Sequence, residues 1–236
     1  MGTMNGRRSA TVWRIILAAC WWSLLALIPE VLLALAVRAG LFEAAEEAYR
    51  VAKDVADLAT YAILLFAAFR EGRSIGGGDP WAGIGYAPIA RTPIIIAIAT
   101  LVAVYALLLD TITYHFKPES FGHIFKGAEI NAWLGIFSAF MVVILVPTCE
   151  ELFFRGWLWT GLRKHWGPLA TASTTGGMWL ILHLAGSFRA PIVLLPLAAT
   201  LSLARHFAGS VKASIALHVL HNSTLTILPW LFLAPA

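Results

Sequence analysis

Charge is scarce in this 236-residue chain. Asp, Glu, Lys and Arg together make up 13% of it, hydrophobic residues make up 59%, and mean hydropathy is +0.78. A soluble domain carries about a quarter charged residues, so an ordinary water-soluble core is excluded. Cysteine is nearly absent too. Cys20 and Cys149 each sit inside an apolar run, which excludes a disulfide framework or a Cys-based metal cluster and leaves two small buried apolar side chains. The net charge of +4 is spread over short loops and makes no basic face, so no nucleic-acid partner is expected. No His-Glu-x-x-His helix occurs.

What is present is a series of apolar runs long enough to cross a hydrocarbon core of roughly 30 Å. They do not alternate as short strands do, and backbone in lipid must satisfy its own hydrogen bonds, so helices are expected. Many of the ten Trp lie near the ends of these runs, where an interfacial belt forms. The expected fold class is therefore all-α, a polytopic transmembrane bundle of about seven spans (six to eight) with its site inside the membrane. The first span runs from about Val12 to Val37 with a kink at Pro29, and is too long for a signal-peptide core. Residues Phe42 to Asp57 are charged and amphipathic and lead into a second stretch ending near Phe69. Arg70 to Thr92, with Gly76-Gly77-Gly78-Asp79-Pro80, reads as a loop. A third span covers Pro93 to about Tyr114, and a mixed polar segment follows from His115 to Asn131. A fourth opens at Ala132 and stays apolar through Cys149, and the last three are Leu169 to Phe188, Pro191 to Phe207 and Val211 to Leu233.

Orientation follows from Lys and Arg in the loops. With the N-terminus cytoplasmic, that side receives nine: Arg7, Arg8, Arg70, Arg73, Arg91, Arg163, Lys164, Arg205 and Lys212. The other receives six: Arg38, Arg50, Lys53, Lys117, Lys126 and Arg189. The N-in arrangement has the majority.

Ionisable groups in such runs cost at least about 2.5–3.5 kcal/mol each and point to function. Glu30, Asp110, Glu150, Glu151, Arg155, His183, His206, His218 and His221 all qualify. Glu150 and Glu151 are adjacent and project about 100° apart on a helix, so one can face a cavity while the other finds a partner. Arg155 lies four residues after Glu151, on the same face. This assigns Glu151 to an ion pair with Arg155 and leaves Glu150 for chemistry; the plain alternative is a structural charge knot at a helix end. His183 taken alone reads as a hydrogen-bonded core histidine. His218 and Asn222 share a face four residues apart, either as donors for an oxyanion or as an interhelical clamp. His221 lies beside them without an assigned role. Three spans each bring one polar cluster, which points to a shared cavity. There a carboxylate and an imidazole deprotonate a water, and a His and an Asn hold the carbonyl oxygen it attacks.

Glu150-Glu151-x-x-x-Arg155, the aromatic-x-x-x-His motif ending at His183, and His218-x-x-x-Asn222 resemble the three motifs of the CPBP family. That family comprises CAAX prenyl endopeptidases of the Ras-converting-enzyme type with their bacteriocin-processing and self-immunity (Abi-like) relatives. The likeness covers about the last hundred residues, which divides the chain into a motif-free transmembrane region, 1–131, and a catalytic core, 132–236. Trp179 stands where the family more often has Phe, keeping the aromatic character. The resemblance implies an intramembrane endopeptidase in which Glu150 and His183 activate the water, His218 and Asn222 form the oxyanion site, and Glu151 and Arg155 support it. It implies the lipid bilayer and a membrane-anchored protein or peptide substrate as partners. The short loops and compact size look prokaryotic, placing the chain in an inner or plasma membrane. No cofactor is favoured; the alternative is Zn2+ on Glu150, His183 and His218. Asn222, a poor zinc ligand and a good oxyanion donor, favours the metal-free reading. Two rival functions use the same cavity: a transporter relay drawing on Glu30 and Asp110, and a non-catalytic scaffold that does not need Glu150.

Overall fold

The computed structural model describes residues 2–42, 46–116, 132–185 and 188–233, with side chains over 9–42, 46–109, 132–184 and 188–226. It is helical throughout, with no strand among the described residues. Seven long helices and one short one follow in order: α1 Gly2–Arg38, α2 Glu46–Ile75, α3 Pro80–Gly83, α4 Thr92–Phe116, α5 Ala132–Arg163, α6 Pro168–Leu182, α7 Ala190–Ala208 and α8 Val211–Leu233. The expected all-α bundle is therefore observed. Among the described residues four helices are long and apolar enough to cross a membrane: Ser9–Arg38 of α1, Thr92–Leu109 of α4, α5 and α7. The other three long helices are shorter or more polar. α2 opens with charged turns, α6 has 15 residues, and α8 carries the His218/His221/Asn222 cluster. Lys117, Lys126 and most of the polar segment before Asn131 lie outside the described residues.

The surface is inside-out relative to a soluble protein. On α1, Trp13, Leu17, Trp21, Leu24, Ile28, Leu32 and Leu35 are all exposed. They recur every three or four residues, so they form one outward apolar stripe suited to lipid. The opposite face buries Val12, Ala19, Trp22 and Ala26 against Leu64, Ala67 and Ala68 of α2. Small residues there let the two backbones approach, the usual packing device in a membrane, where lipid is as apolar as leucine.

At the chain's turn between α2 and α4 the structure differs from a plain loop. Charged residues after Phe69 continue α2 to Ile75, and the three glycines then stop it. Asp79 caps α3, its Oδ1 accepting the Trp81 N–H at 2.9 Å, with Pro80 in the first turn. Gly83 is forced by sterics: a Cβ there would stand 1.8 Å from the Gly72 carbonyl oxygen.

α5 is the organising element. It is one helix of 32 residues, interrupted by π-helical stretches at Met141–Leu145 and Leu152–Leu158. The first directly precedes Pro147, which has no N–H to give and whose ring disturbs the ladder behind it. Its second half buries Phe153, Phe154, Trp157, Leu158 and Leu162 in the centre of the bundle, against α2, α6, α7 and α8. Glu150, Glu151 and Arg155 consequently lie in mid-helix and in the protein interior, not at a helix end.

Candidate active site

A π-helical stretch loosens the ordinary i→i−4 ladder and leaves carbonyls for other partners. Both stretches of α5 use this. Asn222 Nδ2 of α8 donates to the Val142 carbonyl in the first, at 2.9 Å. Arg205 Nε of α7 donates to the Arg155 carbonyl in the second, at 2.8 Å, while its Nη2 donates to Thr160 Oγ1 at 3.1 Å. The helix that carries the acidic pair is thus gripped from both sides.

Glu151 and Arg155 are both fully buried, and Arg155 Nη1 donates to Glu151 Oε1 at 2.9 Å, as their spacing requires. The same Oε1 faces His218 Nδ1 at 3.1 Å. A carboxylate paired to a guanidinium only accepts, so the imidazole donates from Nδ1 and keeps Nε2 for the site. Arg155 also lies over the Trp179 ring, its Cζ 5.1 Å from the centroid, and reaches the Ala198 carbonyl at 3.4 Å.

Glu150 makes a different set of contacts. Its Oε2 accepts the Trp179 indole N–H at 2.6 Å, with both residues buried. Trp179 stands one turn before the end of α6, where the chain tightens into a 3-10 turn at His183–Ala185. There the His183 backbone N–H turns to the Leu180 carbonyl, and the Trp179 carbonyl receives His183 Nδ1 at 2.9 Å instead. That carbonyl can only accept, so His183 also carries its proton on Nδ1. The His183 and Trp179 rings lie 4.3 Å apart, and the His218 ring meets the same indole edge-on at 5.6 Å.

Glu150, His183 and His218 are thereby arranged around one indole. Asn222 lies a turn further along α8, at the level of Val142; one of its two amide protons is engaged there and the other meets none of the described residues. Among the described residues no three His, Cys, Asp or Glu lie together as a group that could hold a metal ion.

Glu30 and His206 lie apart from this arrangement. Glu30 pairs with Lys53, which also pairs with Asp57, tying α1 to α2. The side chain of Asp110, the other group a relay would draw on, is outside the described side chains. His206 lies against Phe207, the two rings tilted by 51°, and lines an apolar cleft of about 610 Å³ between α6 and α7, with Gly176, Leu180, Ala198 and Ser202 among its walls. His221 stacks on Tyr105 and is buried, with both ring nitrogens unbonded among the described residues.

Two residues that sequence reasoning misjudged take part. Arg205, counted there among the cytoplasmic loop cations, is a buried residue of the last turn of α7. Its signal was its place inside an apolar run of helix length. Trp179 passed for an aromatic equivalent of Phe, but its N–H makes the only hydrogen bond that Glu150 forms with the described residues.

Apolar outward faces, crossing-length helices and a buried polar cluster define a helical integral membrane protein with an interior site. Residues 131–224, from the start of α5 through Thr224 of α8, match the family model described as Rce1-like, type II CAAX prenyl endopeptidase. Over these C-terminal helices the chain is similar to the CPBP, or CAAX-protease, family. No curated protein and no solved structure matches it.

Proposed function

We propose that the protein hydrolyses a peptide bond near the C-terminal or membrane-anchored part of a protein or peptide substrate, using a water activated by Glu150 and His183. The observation that carries this reading is the attachment of both groups to Trp179, one to its indole and one to its carbonyl. Glu150 Oε1 bonds to none of the described residues and is left to take a proton from water. His183 Nε2 offers a lone pair to the same water. The hydroxide so formed attacks the scissile carbonyl, and the proton returns to the leaving amine. His218 and the second amide proton of Asn222 stabilise the oxygen on which charge develops. Glu151 and Arg155 are supporting residues that hold His218 and the helix in place. The apolar cleft between α6 and α7 suits the hydrophobic anchor of a substrate.

On the same reading the core of residues 132–236 performs the chemistry and residues 1–131 form its transmembrane scaffold, with the N-terminus cytoplasmic in a prokaryotic inner or plasma membrane. The reaction needs no metal.

The test is cleavage by the purified chain in liposomes, with quenched-fluorescence peptides ending in a CAAX sequence, farnesylated and unmodified. Hydrolysis at a single bond by the wild type, lost in Glu150→Ala and His183→Ala, supports the reading. Hydrolysis that survives Glu150→Ala removes the assigned base. No hydrolysis of any peptide returns the cavity to the transporter or scaffold.

A further inference from the structure

Trp179 does more than fill space between three helices. Its side chain is 1% exposed, and the carboxylate it meets is 7% exposed. A hydrogen bond of 2.6 Å from a neutral N–H to a carboxylate oxygen in such surroundings is short and charge-assisted. It fixes which oxygen of Glu150 is occupied and which one bonds to none of the described residues. Through its backbone the same residue fixes His183: the carbonyl released by the 3-10 turn takes Nδ1–H and leaves Nε2 as the free ring nitrogen. The ring contact at 4.3 Å then limits the tilt of the imidazole. Phenylalanine at this position would keep the carbonyl and an aromatic face but lose the N–H and part of the ring.

We infer that Trp179 is a positioning residue that aligns the base with its imidazole partner, its indole N–H orienting Glu150 and its carbonyl setting the His183 tautomer. This rests on the reading that Glu150 and His183 activate the water, but the hydrogen bond itself is separately measurable. Two substitutions isolate it. Trp179→Phe removes the N–H and some ring volume. Incorporation of 3-benzothienylalanine at residue 179 keeps the bicyclic shape and replaces the N–H by sulfur.

Two readouts are taken on each protein in liposomes. The first is kcat and KM for the farnesylated CAAX peptide. Losing a hydrogen bond to a charged group that orients the base lowers kcat about tenfold to a hundredfold, with KM within about twofold. The second needs no substrate: the rate at which dicyclohexylcarbodiimide modifies Glu150, read by mass spectrometry. An oxygen held by an N–H is shielded from this reagent, so both substitutions raise the rate several-fold over wild type. Wild-type labelling in the benzothienylalanine protein overturns the inference, whatever Trp179→Phe does, because the shape and not the N–H would then be responsible. Raised labelling with unchanged kcat overturns it as well, since the hydrogen bond would exist without orienting the base. Should wild type cleave no peptide, the endopeptidase reading fails on its own, and the labelling rates still decide whether the indole holds Glu150.

Discussion

Replacing Glu151 by glutamine should unfold this protein far more readily than the same change one residue earlier. Glu151 and Arg155 are fully buried and joined at 2.9 Å, and Glu151 also accepts from His218 at 3.1 Å. Glu151→Gln keeps the volume and removes the charge, leaving a buried guanidinium uncompensated. Breaking a buried pair in this way costs about 3–5 kcal/mol. At about 2–4 °C per kcal/mol for a chain of this size, the thermal midpoint should fall by about 6–20 °C. The thiol of Cys149 is buried beside the pair and reports the transition when a maleimide dye is added, in a Cys20→Ser background. Glu150→Gln is the control. The glutamine carbonyl can still accept from Trp179, so its midpoint should move by less than about 3 °C, corresponding to about 1 kcal/mol or less. A companion change, Glu151→Leu with Arg155→Met, removes both charges and should recover most of the loss. Equal midpoints for Glu150→Gln and Glu151→Gln would refute the division of labour between the two carboxylates.

Three further outcomes are expected. Gly83→Ala puts a Cβ 1.8 Å from the Gly72 carbonyl oxygen, and α3 must move off α2 to admit it; a loss of about 2 kcal/mol or more should appear as a lower thermal midpoint. Asn222→Ala removes an oxyanion donor and should lower kcat roughly 100-fold with little change in KM, while costing about 1 kcal/mol of stability through the unmade bond to the Val142 carbonyl. Cleavage should be unaffected by 1,10-phenanthroline; inhibition reversed by added zinc would instead put a metal on Glu150, His183 and His218.

The sequence made the helices legible because apolar runs of membrane length leave the backbone no alternative, and six of the long helices begin or end within a few residues of where composition changes. It also made the acid–base pairing legible, because Glu151 and Arg155 are one helical turn apart. The continuity of α5 through Glu150 to Arg163 was not legible. A cluster of charge after eighteen apolar or small residues looks like the end of a span, and only the partners on α7 and α8 allow it to be buried in mid-helix. Arg205 was misplaced for the same reason, since its bond to the Arg155 carbonyl joins residues 50 apart in the chain. The role of Trp179 depends on the N–H of one indole and on a carbonyl released by a single 3-10 turn, and neither has a signature in residue spacing.

The central claim is that Glu150, and not its neighbour, acts on water. The most direct measurement is single-turnover cleavage of the farnesylated CAAX peptide in liposomes by Glu150→Gln, beside wild type and at a temperature well below the unfolding of both. General-base catalysis contributes roughly 100- to 10,000-fold, so the cleavage rate should fall by that factor while the protein stays folded and binds the peptide with unchanged affinity. A rate within threefold of wild type would contradict the account.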